Sequence, residues 1–197
     1  MANWCINYIT ICNDDKKELE KLQGLIDEWT SKNYRENPYG LQWLGNVVGN
    51  SGVDTWSEEK GEFTSTKTRG WIEEMELTDD ALLLQASTAW SPMVQLWDKV
   101  VKKYSKDSVV LFSAEETGEE IYETNDCSYQ YLYFIDSCID EIESDREATE
   151  DDVVEVIQKV CHTKETDINI LLDIFEKADF NNIWIHKWDF VDISECY

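Results

Sequence analysis

The sequence predicts an α+β fold in which helices cover one face of an antiparallel sheet. Segments rich in β-branched and aromatic residues alternate with segments whose apolar residues recur at helical spacing. Along the chain these segments are predicted as strand, helix, strand, strand, helix and strand. Apolar residues make up 42% of the 197 residues, which is enough to fill a core. The order of the elements is that of the ferredoxin-like βαββαβ sandwich.

The chain begins with a predicted strand and a predicted helix. Residues 4–12, WCINYITIC, are mostly β-branched and aromatic, as is typical of a strand. Asp15 and Glu18 have the spacing of a helix capping box. The apolar residues that follow share one helical face, and they are Leu19, Leu22, Leu25, Ile26 and Trp29.

Residues 33–70 interrupt this regular order. They show no periodicity, and they collect Gly, Asn, Ser and Thr around Trp43 and Trp56. Long loops without structure of their own are uncommon inside compact domains. We therefore expect a long, partly ordered insertion rather than a separate domain.

The second half of the sandwich follows the insertion. Two predicted strands meet at the turn Thr78, Asp79 and Asp80. Ser91 is a good helix N-cap, and Pro92 suits the first helical position of the next helix. Two further predicted antiparallel strands are SVVLFSAE and YQYLYFID. The predicted ferredoxin-like domain comprises residues 1–135.

Residues 136–197 form a predicted acidic helical extension that ends in a strand and packs on the same domain. Thr149 and Asp152 indicate a helix cap. The apolar stripes of two helices are Val153, Val156, Ile157 and Val160, then Ile168, Leu171, Leu172 and Phe175. The last strand, IWIHKWDFV, is predicted to place on its inner face Trp184, His186, Trp188 and Phe190.

Two short signatures stand at defined places in this order. The chain opens with Met-Ala-Asn-Trp-Cys before a strand, and Thr88-Ala89-Trp90-Ser91-Pro92 precedes a helix. A strand then ends in Ala114-Glu115-Glu116. Over residues 1–126 the chain resembles the YubB ferredoxin-like (Api92-like) proteins of phages, plasmids and other mobile elements. The resemblance implies a ferredoxin-like fold and a mobile-element setting, but no catalytic residues.

The signature residues themselves suggest structural roles. We expect Trp4 and Trp90 to lie in the core, since large aromatic side chains dominate core burial. Ser91 lacks the G-x-S-x-G surroundings of a nucleophile. Cys161 and His162 are sequence neighbours, which point about 100° apart on a helix and do not face each other. We expect no enzyme activity, no cofactor and no metal.

The charge is concentrated in one part of the chain. The protein carries 42 acidic and 17 basic residues, a net charge of −25. Residues 115–152 hold 15 of the acidic residues and one basic residue. Such a surface repels nucleic acids and anionic membranes, because their binding requires cations. We expect neither direct nucleic-acid binding nor membrane binding.

Four interpretations of residues 115–152 remain open: a metal site, a catalytic carboxylate pair, an ordinary solvated surface and a surface that imitates a nucleic acid. Against the metal site, neither EETGEEIYETND nor the acidic stretch 136–152 has the D-x-[DN]-x-[DN]-G-x5-E spacing of a calcium loop. A catalytic carboxylate pair needs a dry setting, whereas we expect a wet hairpin around Thr117 and Gly118. A solvated surface would normally mix both signs of charge. The fourth interpretation is a surface that imitates the phosphates of a nucleic acid.

The leading hypothesis is a non-enzymatic anti-defence protein of a phage or mobile element. Its acidic surface would block the basic groove of a nucleic-acid-binding protein, with a CRISPR nuclease such as Cas9 as the first target to test. The alternatives are a protein–protein interaction adaptor and a carboxylate-based hydrolase. The predicted contact residues are Glu115, Glu116, Glu119, Glu120, Glu123, Asp126, Asp136, Asp140, Glu141, Glu143 and Asp145.

The expected location is the cytoplasm of a bacterial host cell. The start of the sequence lacks the basic flank and long apolar stretch of a signal peptide, and no apolar run approaches the roughly 20 residues that span a bilayer. In that setting the six scattered cysteines are expected to be reduced thiols.

Overall fold

The computed structural model describes residues 3–53 and 68–193, and it confirms the α+β class. Trp56 and the rest of 54–67 in the predicted insertion lie outside the described residues. The chain forms two compact units. The first unit runs to Asn125 and takes in the chain again from Val191, and the second unit is Asp126–Phe190.

Each unit contains helices and strands. In the first unit the helices are α1 (Lys16–Thr30), α2 (Leu44–Ser51) and α3 (Val94–Tyr104). Its strands are β1 (Trp4–Cys12), β2 (Gly70–Leu77), β3 (Ala81–Ala89), β4 (Val109–Glu116) and β5 (Ile121–Thr124). The second unit has β6 (Tyr133–Ser137), β7 (Asp145–Ala148), α4 (Glu150–Cys161), α5 (Ile168–Ala178), β8 (Ile183–Lys187) and β9 (Asp189–Phe190).

The strands of the first unit lie in the order β2-β3-β1-β4-β5, and neighbouring strands are antiparallel. Strand β1 pairs along its whole length with β3, from Trp4 opposite Ala89 to Cys12 opposite Ala81. On its other side β1 pairs with β4. Because side chains alternate along a strand, the odd-numbered residues of β1 share one face, and that face is buried.

Helices α1, α2 and α3 cover this buried face. The predicted apolar face of α1 is confirmed, since Leu22 and Ile26 are fully buried in the core. Trp97 of α3 joins the same cluster. Helix α2 lies inside the predicted insertion, yet Leu44 and Val47 are fully buried there. Its sequence, LGNVVGNS, contains two glycines and two asparagines, which hide the helical pattern.

The start of α3 differs from the prediction. The N-cap is Met93, not Ser91, and the helix begins at Val94. The carbonyl of Ser91 accepts a hydrogen bond from the Thr88 hydroxyl at 2.8 Å. The backbone N–H of Met93 donates to the side chain of Asn7 on β1 at 3.1 Å. A side chain distant in sequence therefore provides the cap that the local pattern assigns to Ser91.

The second unit has its own sheet, in the order β7-β6-β8, and its own core. The predicted capping box of α4 is confirmed, because Thr149 and Asp152 exchange hydrogen bonds. The stretch YQYLYFID is only partly a strand: β6 begins at Tyr133, and it pairs with β7 and with β8. The core residues that hold α4 and α5 to this sheet include Ile135, Val153, Ile157, Leu171 and Ile183.

Two predictions about aromatic residues near strand ends fail, the first of them only in part. In the last strand Trp188 is buried as predicted, whereas Trp184 and Phe190 are exposed and Ile183 is buried instead. The strand also breaks between β8 and β9. Trp4 and Trp90 are 47% and 44% exposed instead of lying in the core. Trp4 lies on the face of β1 opposite the buried one, and Trp90 follows β3 with a positive φ of 74°.

Candidate functional site

The first group of predicted contact residues lies on the predicted hairpin, which is confirmed as β4 and β5. This group is Glu115, Glu116, Glu119, Glu120 and Glu123. Glu116 is only 5% exposed. Its carboxylate accepts hydrogen bonds from the backbone N–H groups of Gly118 at 2.8 Å and Glu119 at 2.5 Å. Glu116 thus holds the turn together. The contact of Glu116 with a partner stays a prediction, but this geometry argues against it, since both carboxylate oxygens face the backbone of their own loop.

The other carboxylates of the hairpin differ in exposure. Glu115 pairs with Tyr122 across the ladder, and it is half-buried like Glu123. Glu119 and Glu120 lie in the turn and are exposed. Of the five carboxylates between 115 and 123, these two are the ones fully available to a partner. The predicted contact residues therefore include carboxylates that are not fully exposed, because successive side chains of a strand point to opposite faces of the sheet.

Asp126 belongs to the second unit and has a local role. It is half-buried, and its carboxylate accepts a hydrogen bond at 2.8 Å from the backbone N–H of Ser128. This bond caps the short 3₁₀ turn Cys127–Tyr129. Such caps satisfy the free N–H groups at the start of a helical turn.

The second acidic group surrounds a concavity of about 480 Å³ in the second unit. The connection between β6 and β7 supplies three predicted residues, Glu141, Glu143 and Asp145. Helix α4 supplies Asp152 and Glu155, which the sequence analysis does not assign to the site. The remaining lining residues are Ile135, Ile142, Ser144, Val156 and Lys159.

A signal for the missing residues exists in the sequence. Three lining residues follow Asp152 at helical spacing: Glu155, Val156 and Lys159 come three, four and seven residues after it. All four therefore share one face of α4. The apolar stripe of the same helix is centred on Val153 and Ile157 instead. This spacing could therefore have added Asp152 and Glu155 to the predicted contact residues.

Asp136 and Asp140 are predicted site residues outside this lining. Asp136 is half-buried, and it accepts a hydrogen bond from the Ser144 hydroxyl at 3.5 Å. Asp140 is exposed in the connection that follows β6. Neither of them lines the concavity, so the acidic group of residues 136–145 is brought together only in part.

The single cation at the concavity does not neutralise its carboxylates. The ammonium of Lys159 donates to the backbone carbonyl of Glu141 at 2.7 Å, and it forms no ion pair with a described carboxylate. A hydrogen bond from the Thr149 hydroxyl, joined by one from the Thr149 backbone, lowers the pKa of Asp152. These hydrogen bonds thus stabilise the charged form of Asp152.

The chemistry of a metal site is not assembled in the described part of the chain. Within residues 3–53 and 68–193, no group of three or more His, Cys, Asp or Glu side chains is placed to hold a metal ion. Across the same ranges, no helix is both long and apolar enough to cross a membrane.

A comparison with protein-family models, curated proteins and solved structures finds no match to the chain.

Proposed function

We propose that this protein is an anti-defence protein of a phage or mobile element that blocks a basic nucleic-acid-binding protein. A CRISPR nuclease such as Cas9 is the first target to test. The observation that supports this function most strongly is the acidic concavity of the second unit. There, five carboxylates surround about 480 Å³, and the only described cation in the lining donates to a backbone carbonyl.

The concavity has the chemistry to receive a Lys or Arg side chain. Carboxylates form short, charge-assisted hydrogen bonds with ammonium and guanidinium groups. Ile135, Ile142 and Val156 add apolar surface to the same walls. Long basic side chains bury their methylene stems against such surface while the charged head finds acceptors. Carboxylates alone would bind any cation, whereas this combination favours a basic side chain of a protein.

The charge of the second unit would guide such a partner toward it. Residues 126–190 contain 17 acidic and five basic residues, a net charge of −12. Complementary charge speeds association and is screened by salt. A protein that holds nucleic acid presents Lys and Arg side chains to phosphates, which occur about once per 1.7 Å of duplex axis. Such a groove is the natural complement of this surface.

We infer in addition that the first unit is a ferredoxin-like sandwich of the YubB type. Its support is the order of the elements, with α1 between β1 and β2 and α3 between β3 and β4. The central position of β1 between β3 and β4 agrees with this inference. Helix α2 is an addition to that plan. The resemblance of the signatures to mobile-element proteins supplies the genetic setting of the proposal.

The proposed contact residues differ from the sequence prediction, because six predicted residues are left out and Asp152 and Glu155 are added. In the first unit they are Glu119 and Glu120, which are exposed in the β4–β5 turn. In the second unit they are the carboxylates of the concavity. Glu116 is left out, because its oxygens already accept two backbone hydrogen bonds. The proposed set in the second unit is Glu141, Glu143, Asp145, Asp152 and Glu155.

The test is DNA cleavage by a purified Cas9-type nuclease in the presence of this protein. One variant combines Glu141→Lys, Glu143→Lys and Glu155→Lys. We expect it to inhibit at least about tenfold less well, since like charges then face each other across the interface. Full inhibition by this variant would overturn the proposed mechanism.

A matched control keeps the change in net charge equal. It combines Asp14→Lys, Glu20→Lys and Asp27→Lys, three exposed positions of the first unit. We expect this control to inhibit nearly as well as the wild type, because its charges lie outside the proposed contact surface. An equal loss in both variants would mean that total charge, rather than the concavity, is responsible.

A further inference from the structure

A second cavity, in the first unit, has a different character. It measures about 370 Å³ and is lined by four aromatic residues together with Thr68, Arg69 and Ala89. This volume lies in the range of small-molecule sites, about 300 to 1,000 Å³, which are mostly apolar with a few polar groups. No carboxylate is among its described lining residues. The four aromatic residues are Trp4, Tyr39, Trp43 and Trp71.

The aromatic rings are held in place by the backbone. The indole N–H of Trp43 donates to the Thr68 carbonyl at 2.9 Å, and that of Trp71 donates to the Tyr39 carbonyl at 3.0 Å. Trp43 itself is buried. These two hydrogen bonds fix the orientation of both indoles, which line the cavity. The fixed rings form the base of a stacking site.

The outer rings of the cavity remain accessible. Trp4 is 47% and Tyr39 is 52% exposed. The rings of Trp4 and Trp71 contact edge-to-face with centroids 5.5 Å apart, and those of Tyr39 and Trp43 lie 4.9 Å apart. A planar ring entering here would meet aromatic surface from two pairs of side chains. Bases stack on aromatic side chains through their π-faces, which every base has.

Arg69 adds the polar group that would orient such a ligand. Its side chain is exposed, and it forms no hydrogen bond or ion pair with the residues that the structure describes. Its backbone is fixed, because the Arg69 carbonyl accepts from the Ala89 N–H at 2.8 Å. An exposed guanidinium beside an aromatic cavity suits a planar ligand with an anionic group, since guanidinium binds phosphate through two parallel hydrogen bonds.

We propose that this cavity binds a nucleoside monophosphate, with the base stacked on the aromatic residues and the phosphate on Arg69. A single nucleotide differs from a nucleic-acid polymer, because it places one phosphate at one cation and does not span the acidic surface. The site lies within the first unit and does not depend on the proposed inhibition of a nuclease. Either proposal is able to fail without the other.

Isothermal titration of the full-length protein with the four nucleoside 5′-monophosphates tests the site. We expect saturable binding of at least one of them, and we expect the matching nucleoside, which lacks the phosphate, to bind at least about tenfold more weakly. No binding of any monophosphate at millimolar concentration would overturn the proposal. Equal binding of nucleotide and nucleoside would overturn the role of Arg69.

Variants with matched controls locate the site. Arg69→Gln and Trp4→Ala should each weaken nucleotide binding about tenfold or more. Trp184→Ala changes another exposed tryptophan, and Lys187→Gln removes an exposed cation, both on β8 of the second unit. These two controls should bind like the wild type. Nucleotide binding that survives in both Arg69→Gln and Trp4→Ala would place the ligand elsewhere and contradict the proposal.

Discussion

The side chain of Asn7, in the middle of β1, accepts a hydrogen bond from the backbone N–H of Met93 at 3.1 Å and thereby caps α3. Its amide group donates in turn to the carbonyls of Cys5 and Ala86 and to the hydroxyl of Thr88, at 2.8 to 3.2 Å. Asn7 is only 1% exposed. One buried amide thus joins two strands and the start of a helix.

Removal of this amide should destabilise the first unit. We expect Asn7→Ala to lower the free energy of unfolding by about 2 kcal/mol or more, because it leaves buried donors and acceptors without partners. Urea unfolding followed by circular dichroism measures the change. Asn181→Ala, at an exposed position of the second unit, serves as the control and should stay within about 0.5 kcal/mol of the wild type. Equal stability of both variants would contradict the bridging role.

Changes at Glu116 and at Glu119 should have different effects, the first on stability and the second on inhibition of the nuclease. Glu116→Ala removes the acceptor of two backbone N–H groups, so we expect a loss of about 1 kcal/mol in stability and unchanged nuclease inhibition. The double variant Glu119→Lys and Glu120→Lys should show the reverse, with native stability and weaker inhibition. Unfolding curves and cleavage assays on both variants make the comparison. Weaker inhibition by Glu116→Ala at native stability would contradict this division of roles.

The capping box of α4 should give a pH-dependent contribution to stability. Because hydrogen bonds from Thr149 hold the pKa of Asp152 below its ordinary value of 3.8, their contribution is present above that value and is lost as the pH falls through the lowered pKa. We expect Thr149→Ala to cost about 1 kcal/mol near neutral pH. The difference from the wild type should shrink below pH 3.8.

Urea unfolding at neutral and at acidic pH measures this difference. Thr166→Ala, an exposed threonine in the connection before α5, is the matched control and should cost little at either pH. A Thr149→Ala difference that stays constant or grows as the pH falls would contradict the link between the cap and the Asp152 carboxylate.

The cysteines should differ strongly in reactivity. Burial is the main cause that raises the pKa of the Cys5 thiol to about 12, whereas Cys127 and Cys138 are exposed. Since the thiolate is the reacting form, iodoacetamide at mildly alkaline pH should modify Cys5 at least about a hundredfold more slowly than the exposed pair. Mass spectrometry follows the modification, and unfolding in urea should expose Cys5 to reaction. Rapid modification of Cys5 in the folded protein would contradict its burial.

Several elements follow from the sequence because their signals are local. The apolar spacing from Leu19 to Trp29 predicts α1, and the pair Thr149 and Asp152 predicts the start of α4. Helix α2 is missed, since glycine and asparagine interrupt its pattern while Leu44 and Val47 are buried by distant contacts. Local patterns predict an element, but its neighbours decide what it buries.

The errors at the aromatic residues have the same physical origin. Trp4 is exposed because the helices pack on the opposite face of β1, and nothing in WCINYITIC says which face they will cover. The predicted cap Ser91 is not used; instead the backbone N–H of Met93 donates to the side chain of Asn7, which lies more than eighty residues away. The acidic concavity is predicted in part, since Glu141, Glu143 and Asp145 are near in sequence, whereas Glu155 comes from a helix.

The most direct test of the proposed function is the affinity of this protein for a Cas9-type nuclease as a function of salt and of competing nucleic acid. If the acidic surface occupies the nucleic-acid groove, affinity should fall steeply between about 50 and 200 mM salt. Duplex or guide nucleic acid should then compete with the protein for the nuclease. Binding that is independent of salt and is not displaced by nucleic acid would contradict mimicry and favour an apolar adaptor surface.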